Sequence, residues 1–398
     1  MRDLIALIVA LGLSAGACGG DKRMSAPAAN DAASPKSSPE AAAAEVAAPT
    51  AEPEPTTAEP TAAEPTTAEP TAAEPTSEAA ATEPEKYDEH VGSARGTALV
   101  KAFNAVKSGD MAAALAGFAE DVVIARIGDP YAPTITGREA VITALQSAAS
   151  TMRYFAATPS RLYESGDWIA ADAVLFGHHT GELLGRAPTG AVIGVALVLA
   201  FHFDEAGEID RVESYFDGEA LRRQIGALSP PPGGKVRLIA APTDDEPEFT
   251  RGPGVPENEA VVRRFEAALA DGSLGASWDA LVQPNPNFEN VNENNRFETR
   301  DDYLAHWTRP TELGVKLTPG VRFERLLSVD DRVLTWSTLH GVYGGEGPAT
   351  VPEGTEITQR VFEIWTLRDG KVKSRKSFSN GLEVLAQLGM LPDAAPTK

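Results

Sequence analysis

Cysteine is almost absent. Cys18 is the only one in 398 residues, so no disulfide can form within the chain, and stability has to come from packing. Positive charge is also scarce: 35 Lys and Arg stand against 57 Asp and Glu, a net charge of −22. A phosphate backbone is gripped by a basic face, which this chain does not offer, and nucleic acid is excluded as a partner. The six histidines, His90, His178, His179, His202, His306 and His340, contain no i,i+4 pair and have no cysteine partners. They give no metal-ligand spacing. A Gly-rich phosphate loop is missing too, and we expect neither metal nor cofactor.

What is present falls into three compositions. Near the start, Arg2, an apolar run from Leu4 to Leu13 and the small residues SAGA lead to Cys18 and then Gly19-Gly20. A run this short is the core of an export signal and not a membrane span. The stretch resembles a bacterial lipoprotein signal. The resemblance implies cleavage after residue 17, lipidation of Cys18 and a membrane anchor, and Gly19 in place of Asp implies sorting to the outer membrane, facing the periplasm or the cell surface.

Residues 18–89 form a tether. From Met24 to His90 there are fourteen acidic and two basic residues, and AEPT recurs at Ala58, Ala63, Ala68 and Ala73. Ala, Glu, Pro and Thr in this proportion bury too little to offset ordering entropy, so a disordered, extended segment is predicted. At about 3.1 Å per residue, roughly 65 residues reach on the order of 200 Å.

From Val91 the composition becomes globular, and one pattern occurs twice. DWIAADAVLFGHHTG…AFHFD, from Asp167, aligns without a gap to DRVLTWSTLHGVYGG…WTLR, from Asp331. Asp167/Asp331, Gly177/Gly341, Gly181/Gly345, Gly190/Gly354 and Phe201/Trp365 all differ by 164. In the first copy, residues 90–228, helices are predicted over 97–108, 111–119 and 138–149, strands over 122–126, 154–163, 168–176, 192–203 and 209–215, and a closing helix over 219–228. Residues 229–255 read as a Pro/Gly-rich linker. The second copy covers 256–391, with helices over 257–270 and 382–388, and its Asn-rich QPNPNFENVNENN reads as an irregular loop. Helices followed by a curved antiparallel sheet make an α+β plan.

GDWIAADAVLFGHHTGELLG, PTG, FHFDEAGEI and YFDGEALRRQIG, in that order, resemble the SnoaL-like branch of the NTF2-like superfamily. The second copy resembles it through the duplication and through LRDGKV. The resemblance implies two tandem NTF2-like cones, related to polyketide cyclases and ketosteroid isomerase, whose chemistry uses a buried Asp beside a carbonyl. That Asp stands seven residues after the Gly opening the last strand. Here those places hold Ser214, after Gly207, and Ser377, after Gly370, and the partner His falls at Leu199 or Ala200.

Strand 192–203 carries large residues on one face, Ile193, Val195, Leu197, Leu199, Phe201 and Phe203, and small ones on the other, Val192, Gly194, Ala196, Val198, Ala200 and His202. The large face fills the cone, and the apolar back needs cover, either from the second copy as an intrachain pseudo-dimer or from a homodimer. Leu197, Leu199, Phe201, Ser214 and His179 are the expected pocket residues. His179, Asp129 and Tyr154 are the candidates for proton transfer should the first copy act on a small carbonyl compound. With the acid replaced by serine in both copies, the reading preferred is a non-catalytic head that holds a small apolar molecule or serves as a scaffold; an enzyme of the cyclase type and a purely structural envelope lipoprotein are the alternatives.

Overall fold

The computed structural model describes residues 93–391 apart from 109, 133, 231–235, 241–246, 292–294 and 346–348. Cys18, the lipoprotein-like start and the tether lie outside the described residues. The first repeat opens with helix α1 (Ala94–Ser108), whose Leu99, Phe103 and Val106 are buried. Asp110 caps α2 (Met111–Ala114) by accepting from Ala113 N at 2.9 Å. The expected continuation of α2 to Ala119 is not made. Phe118 is needed in the core instead and opens β1 (Phe118–Arg126), pairing with Ile209.

Then follow β2 (Ile135–Thr136), α3 (Arg138–Thr151), β3 (Met152–Ser165), β4 (Trp168–His179), β5 (Val192–Phe203), β6 (Ile209–Phe216) and α4 (Gly218–Gln224). The linker contributes a further strand, β7 (Glu248–Arg251), where only a connection was expected. It runs parallel to β3, with Phe249 opposite Leu162. Its ring lies so close to Gly96 that a Cβ there would stand 2.5 Å from it. A four-residue strand has almost no periodicity to read, which is why the sequence did not reveal it. The sheet order is β2-β1-β6-β5-β4-β3-β7. β3 to β6 are antiparallel, while β1 lies parallel to β6, so the sheet is mixed and not purely antiparallel.

The second repeat has the same plan: α5 (Pro256–Ala270), α6 (Leu274–Leu281), β8 (Val282–Asn290), β9 (Asn295–Phe297), α7 (Arg300–Thr308), β10 (Val315–Val329), β11 (Arg332–Tyr343), β12 (Glu356–Arg368), β13 (Lys371–Ser379) and α8 (Gly381–Gln387), ordered β10-β11-β12-β13-β8-β9. The Asn-rich segment is therefore mostly strand. Parallel pairing with β13 overrides its turn preference, and Asn285, at φ 53°, absorbs the mismatch where the register shifts. Corresponding side chains recur: Phe103 meets Phe201 edge-on at 6.0 Å, and Phe265 meets Trp365 likewise at 5.3 Å. Gln224 clamps both backbone groups of Gly194, and Gln387 does the same to Thr358.

The large face of β5 lies in the first cone, as its alternation predicts. Its back joins the other sheet. Ala170, Ala196, Val198, Ala200, Trp168 and Tyr215 form one apolar cluster with Val329, Leu334, Trp336, Phe362, Ile364 and Phe378. Small residues on the first sheet receive large ones from the second, which is how two such faces reach interior packing density. Each fully buried Phe contributes about 2 kcal/mol through area removed from water. The helix starts meet as well: at Gly218 a Cβ would stand 2.9 Å from Leu382, and at Gly381 it would collide with Glu219.

Candidate functional site in the two cones

Alternation along β4, β5 and β6 decides what enters the first cone. Leu197, Leu199 and Phe201 point inward and are at most 1% exposed. They are packed with Phe103, Phe118 and Leu145 in a continuous core. Ser214 shares this inner face with Val212 and Phe216, stands opposite Leu199, and is fully buried. Its Oγ has no hydrogen-bond partner. Where the related fold needs a carboxylate and a base, this cone holds an orphan hydroxyl facing a leucine.

His179 also lies on the inner face, at the end of β4, and is buried. Its Nδ1 sits 2.9 Å from Thr189 Oγ1 and 3.3 Å from Thr189 N, while Nε2 has no partner. Burial lowers its pKa, with a backbone hydrogen bond to Gly181 working the other way. The shift favours the neutral ring, which ties the end of β4 to Thr189. Asp129 accepts from Tyr131 N at 2.9 Å, and its Oδ2 lies 3.2 Å from Arg126 Nη1 and 3.6 Å from Arg222 Nη1. A carboxylate shared by two guanidiniums is a counter-ion, not a free base.

Tyr154 is not in the cone. Simple alternation from the buried Met152 would turn it inward, but the register shifts after Arg153 and Tyr154 adopts φ +58°. The bulge flips the side chain out. It is 60% exposed, stacked against Arg153 at 4.6 Å and edge-on to His178 at 5.9 Å. His202 is on the back face, bonded to Asp210 Oδ1 at 2.6 Å and stacked on Trp168. The structure thus brings Leu197, Leu199, Phe201 and Ser214 together, sets His179 at the rim, pairs Asp129 off and excludes Tyr154.

The second cone holds polar groups that the sequence reading missed. Glu363 occupies the place of Leu199, offset by 164, and is fully buried. Arg375 donates to its Oε1 from Nε at 2.8 Å and from Nη2, and from Nη1 to Tyr303 Oη at 3.2 Å. Thr335 Oγ1 donates to the other oxygen, Oε2, at 2.9 Å. Glu266, on α5, is 3% exposed and lies in the same interior. Burial raises the Tyr303 pKa; it lowers that of Arg375, but Glu363 with Tyr303 and Glu266 more than reverses this. Beside Arg375 is a cavity of about 20 Å³, lined also by Asn290, His306, Gln359, Ser377 and Ser379. That volume holds about one water molecule. The missed signal was the duplication itself: carrying the ungapped alignment onto β12 puts a carboxylate among Val361, Trp365 and Leu367 on the inward face.

Residues 97–225 match the SnoaL-like polyketide cyclase family and residues 262–375 the SnoaL-like domain family. The chain carries two SnoaL-like domains in tandem and belongs to the SnoaL/NTF2-like superfamily. Over 63 residues it is 36% identical to aklanonic acid methyl ester cyclase AcmA of Streptomyces galilaeus, a stretch covering 16% of this chain and 43% of that enzyme. The chain thus spans less than half the length of this curated relative. Among solved structures, TsrD from Streptomyces laurentii is similar at 24% identity over 34% of this chain and 97% of its own, with a TM-score of 0.31. An NTF2-like protein of unknown function from Burkholderia pseudomallei K96243 is similar at 20% identity over 33% and 98%, with a TM-score of 0.29.

Proposed function

We propose that this chain is a lipid-anchored bacterial envelope protein whose two SnoaL-like domains form a non-catalytic scaffold or binding head. The observation that carries the reading is the buried, unpartnered Ser214 hydroxyl opposite Leu199 in an interior packed with its own side chains. A serine without an activating partner does not abstract a proton near neutral pH. In the second domain the equivalent interior is taken by the Glu363–Arg375 ion pair, with room for about one water. The lipoprotein-like start and the Glu/Pro-rich tether support an anchor at Cys18 and a head held off the outer membrane. Cyclisation is the activity of AcmA; here it would need His179, in a neutral ring already engaged by Thr189.

Two measurements test the reading. Full-length protein extracted from its own membranes is weighed intact in detergent, then denatured to release bound molecules. The expected result is a lipid-modified chain whose head is empty or carries a small apolar molecule that it does not turn over; a stoichiometric carbonyl-bearing ligand released from the head, turned over by wild type and not by His179→Ala, would replace the proposal with the enzyme alternative. Cys18→Ala should move the protein from membrane to soluble fraction, and membrane retention of that variant would remove the anchor from the reading.

A further inference from the structure

Glu266 is the member of the buried set in the second cone that no side chain holds among the described residues. Arg375 spends Nε and Nη2 on Glu363 and Nη1 on Tyr303, and Thr335 serves the remaining Glu363 oxygen. Among the described residues no side-chain donor reaches either carboxylate oxygen of Glu266, and the Val321 backbone amide, which favours the charged form, falls short of good hydrogen-bonding geometry. The groups whose charge acts on it are Arg375 on β13 and Glu363 on β12, it acts in turn on Tyr303 on α7, and the Val321 backbone on β10 favours its charged form. A carboxylate buried without donors takes a proton in place of its lost hydration.

We propose that Glu266 and Glu363 form a proton-operated switch around Arg375: with Glu266 protonated, Arg375 rests on Glu363 and walls the small cavity, and loss of that proton draws Arg375 toward Glu266 and changes the cavity. The direction of the pKa agrees with the geometry. Burial pushes Glu266 up to about 8, Glu363 adds to the rise, and Arg375 and the Val321 backbone oppose it. Because Arg375 lines the cavity together with Gln359 and Ser377, its movement alters which groups the cone presents to its mouth. The guanidinium also lies 5.3 Å from the Trp365 ring, so the indole reports its position.

The test uses the full chain in detergent, in an Asp217→Asn background so that the other buried acid, Asp217, contributes no band, titrated about two pH units either side of the midpoint. Infrared difference spectra should show a buried carboxylic acid carbonyl band that disappears as pH rises, and tryptophan emission should change with the same midpoint. Glu266→Gln, which mimics the protonated form, should lose the band and the emission change while keeping the circular dichroism of wild type. Glu266→Met removes the proton site without a polar group and should behave the same way if the glutamine variant does not fold. In the Asp217→Asn background, a band that survives both substitutions, an emission change that titrates unaltered in them, or a parent protein without a titrating buried acid would each overturn the switch.

Discussion

Lys376 Nζ donates to both carboxylate oxygens of Asp172, at 2.9 and 2.6 Å, across the boundary between the two sheets. Position 172 in the first domain corresponds to Trp336 in the second, offset by 164, and Glu213 corresponds to Lys376, offset by 163. Trp336 Nε1 donates to Glu213 Oε2 at 2.8 Å. The same pair of places is therefore used twice, once as an ion pair and once as an indole on a carboxylate. Each contact ties a nearly buried carboxylate to the other domain, Asp172 through both oxygens and Glu213 through Oε2, its Oε1 accepting from Arg211 Nε at 2.8 Å.

Removing either donor should cost more than the contact is worth. Lys376 is partly exposed and screened, so Lys376→Met is expected to destabilise by about 1–2 kcal/mol. Trp336→Phe removes the donor of Glu213 Oε2 while Arg211 still serves Oε1, and should cost about 1–2 kcal/mol. Urea unfolding of each, and of Lys376→Met with Asp172→Asn, checks this. The double variant should recover part of the loss.

Restoring the family acid should not restore chemistry. Ser214→Asp puts an ionisable group into a buried interior opposite Leu199, where the neighbouring guanidinium, Arg126, is already paired with Asp129, so stability should drop by about 1–3 kcal/mol near neutral pH, and less in acid where the new group is neutral. Unfolding midpoints at two pH values, with an assay on a small cyclisable ketoester, test the pair of expectations. Turnover by a stable variant would show that the first cone still admits substrate.

Stability should fall as pH rises from about 4 to about 8. Burial lifts Asp217 to about 7 from its ordinary value of 3.8, Glu219 adds, and the Ala220 amide with Arg237 and Arg223 opposes. An acid whose folded pKa is raised stabilises the native state below the unfolded value and loses that contribution as pH passes the folded one. The Asp217 share is at most about 4 kcal/mol. Asp217→Asn keeps an oxygen for the Ala220 cap and should flatten the profile in that window, as measured by denaturant midpoints across pH.

Gly194→Ala should be costly for a steric reason alone. A Cβ at 194 would stand 2.1 Å from the carbonyl oxygen of Ile239, where the linker backbone crosses β5. Main chain cannot swing aside as a flexible side chain can, and Ile239 N donates to Gly194 O at 3.0 Å. A loss of about 2 kcal/mol or more is expected by thermal or urea unfolding, against near-neutrality for an alanine at the open Gly117.

Much of the fold was legible because long strands alternate. The bounds of β5 and its division into a large inner and a small outer face follow directly from its twelve residues. The single turn of α2, the strand β7 and the flip of Tyr154 were not legible. Each is decided by a distant partner: Ile209 for Phe118, Gly96 for Phe249, and a register shift against β4 for Tyr154. In the candidate site, alternation placed Ser214 and Leu199 correctly, whereas Asp129 needed Arg222, ninety-three positions away, to show that its charge was already matched. The polar interior of the second domain escaped for the opposite reason. Its residues were readable, but Glu363 and Arg375 look like ordinary strand charges until the register is carried across from the first repeat.

The position of β7 bears on how this protein can be cut or inherited. The strand that completes the first domain's edge is encoded after that domain's last helix, and each sheet's back is finished by the other. A gene fragment ending at residue 228 would therefore yield a chain with an open edge and a bare apolar back, prone to self-association. The two repeats read as copies of one pattern, yet neither stands as a separate module, because each supplies the surface that covers the other's sheet.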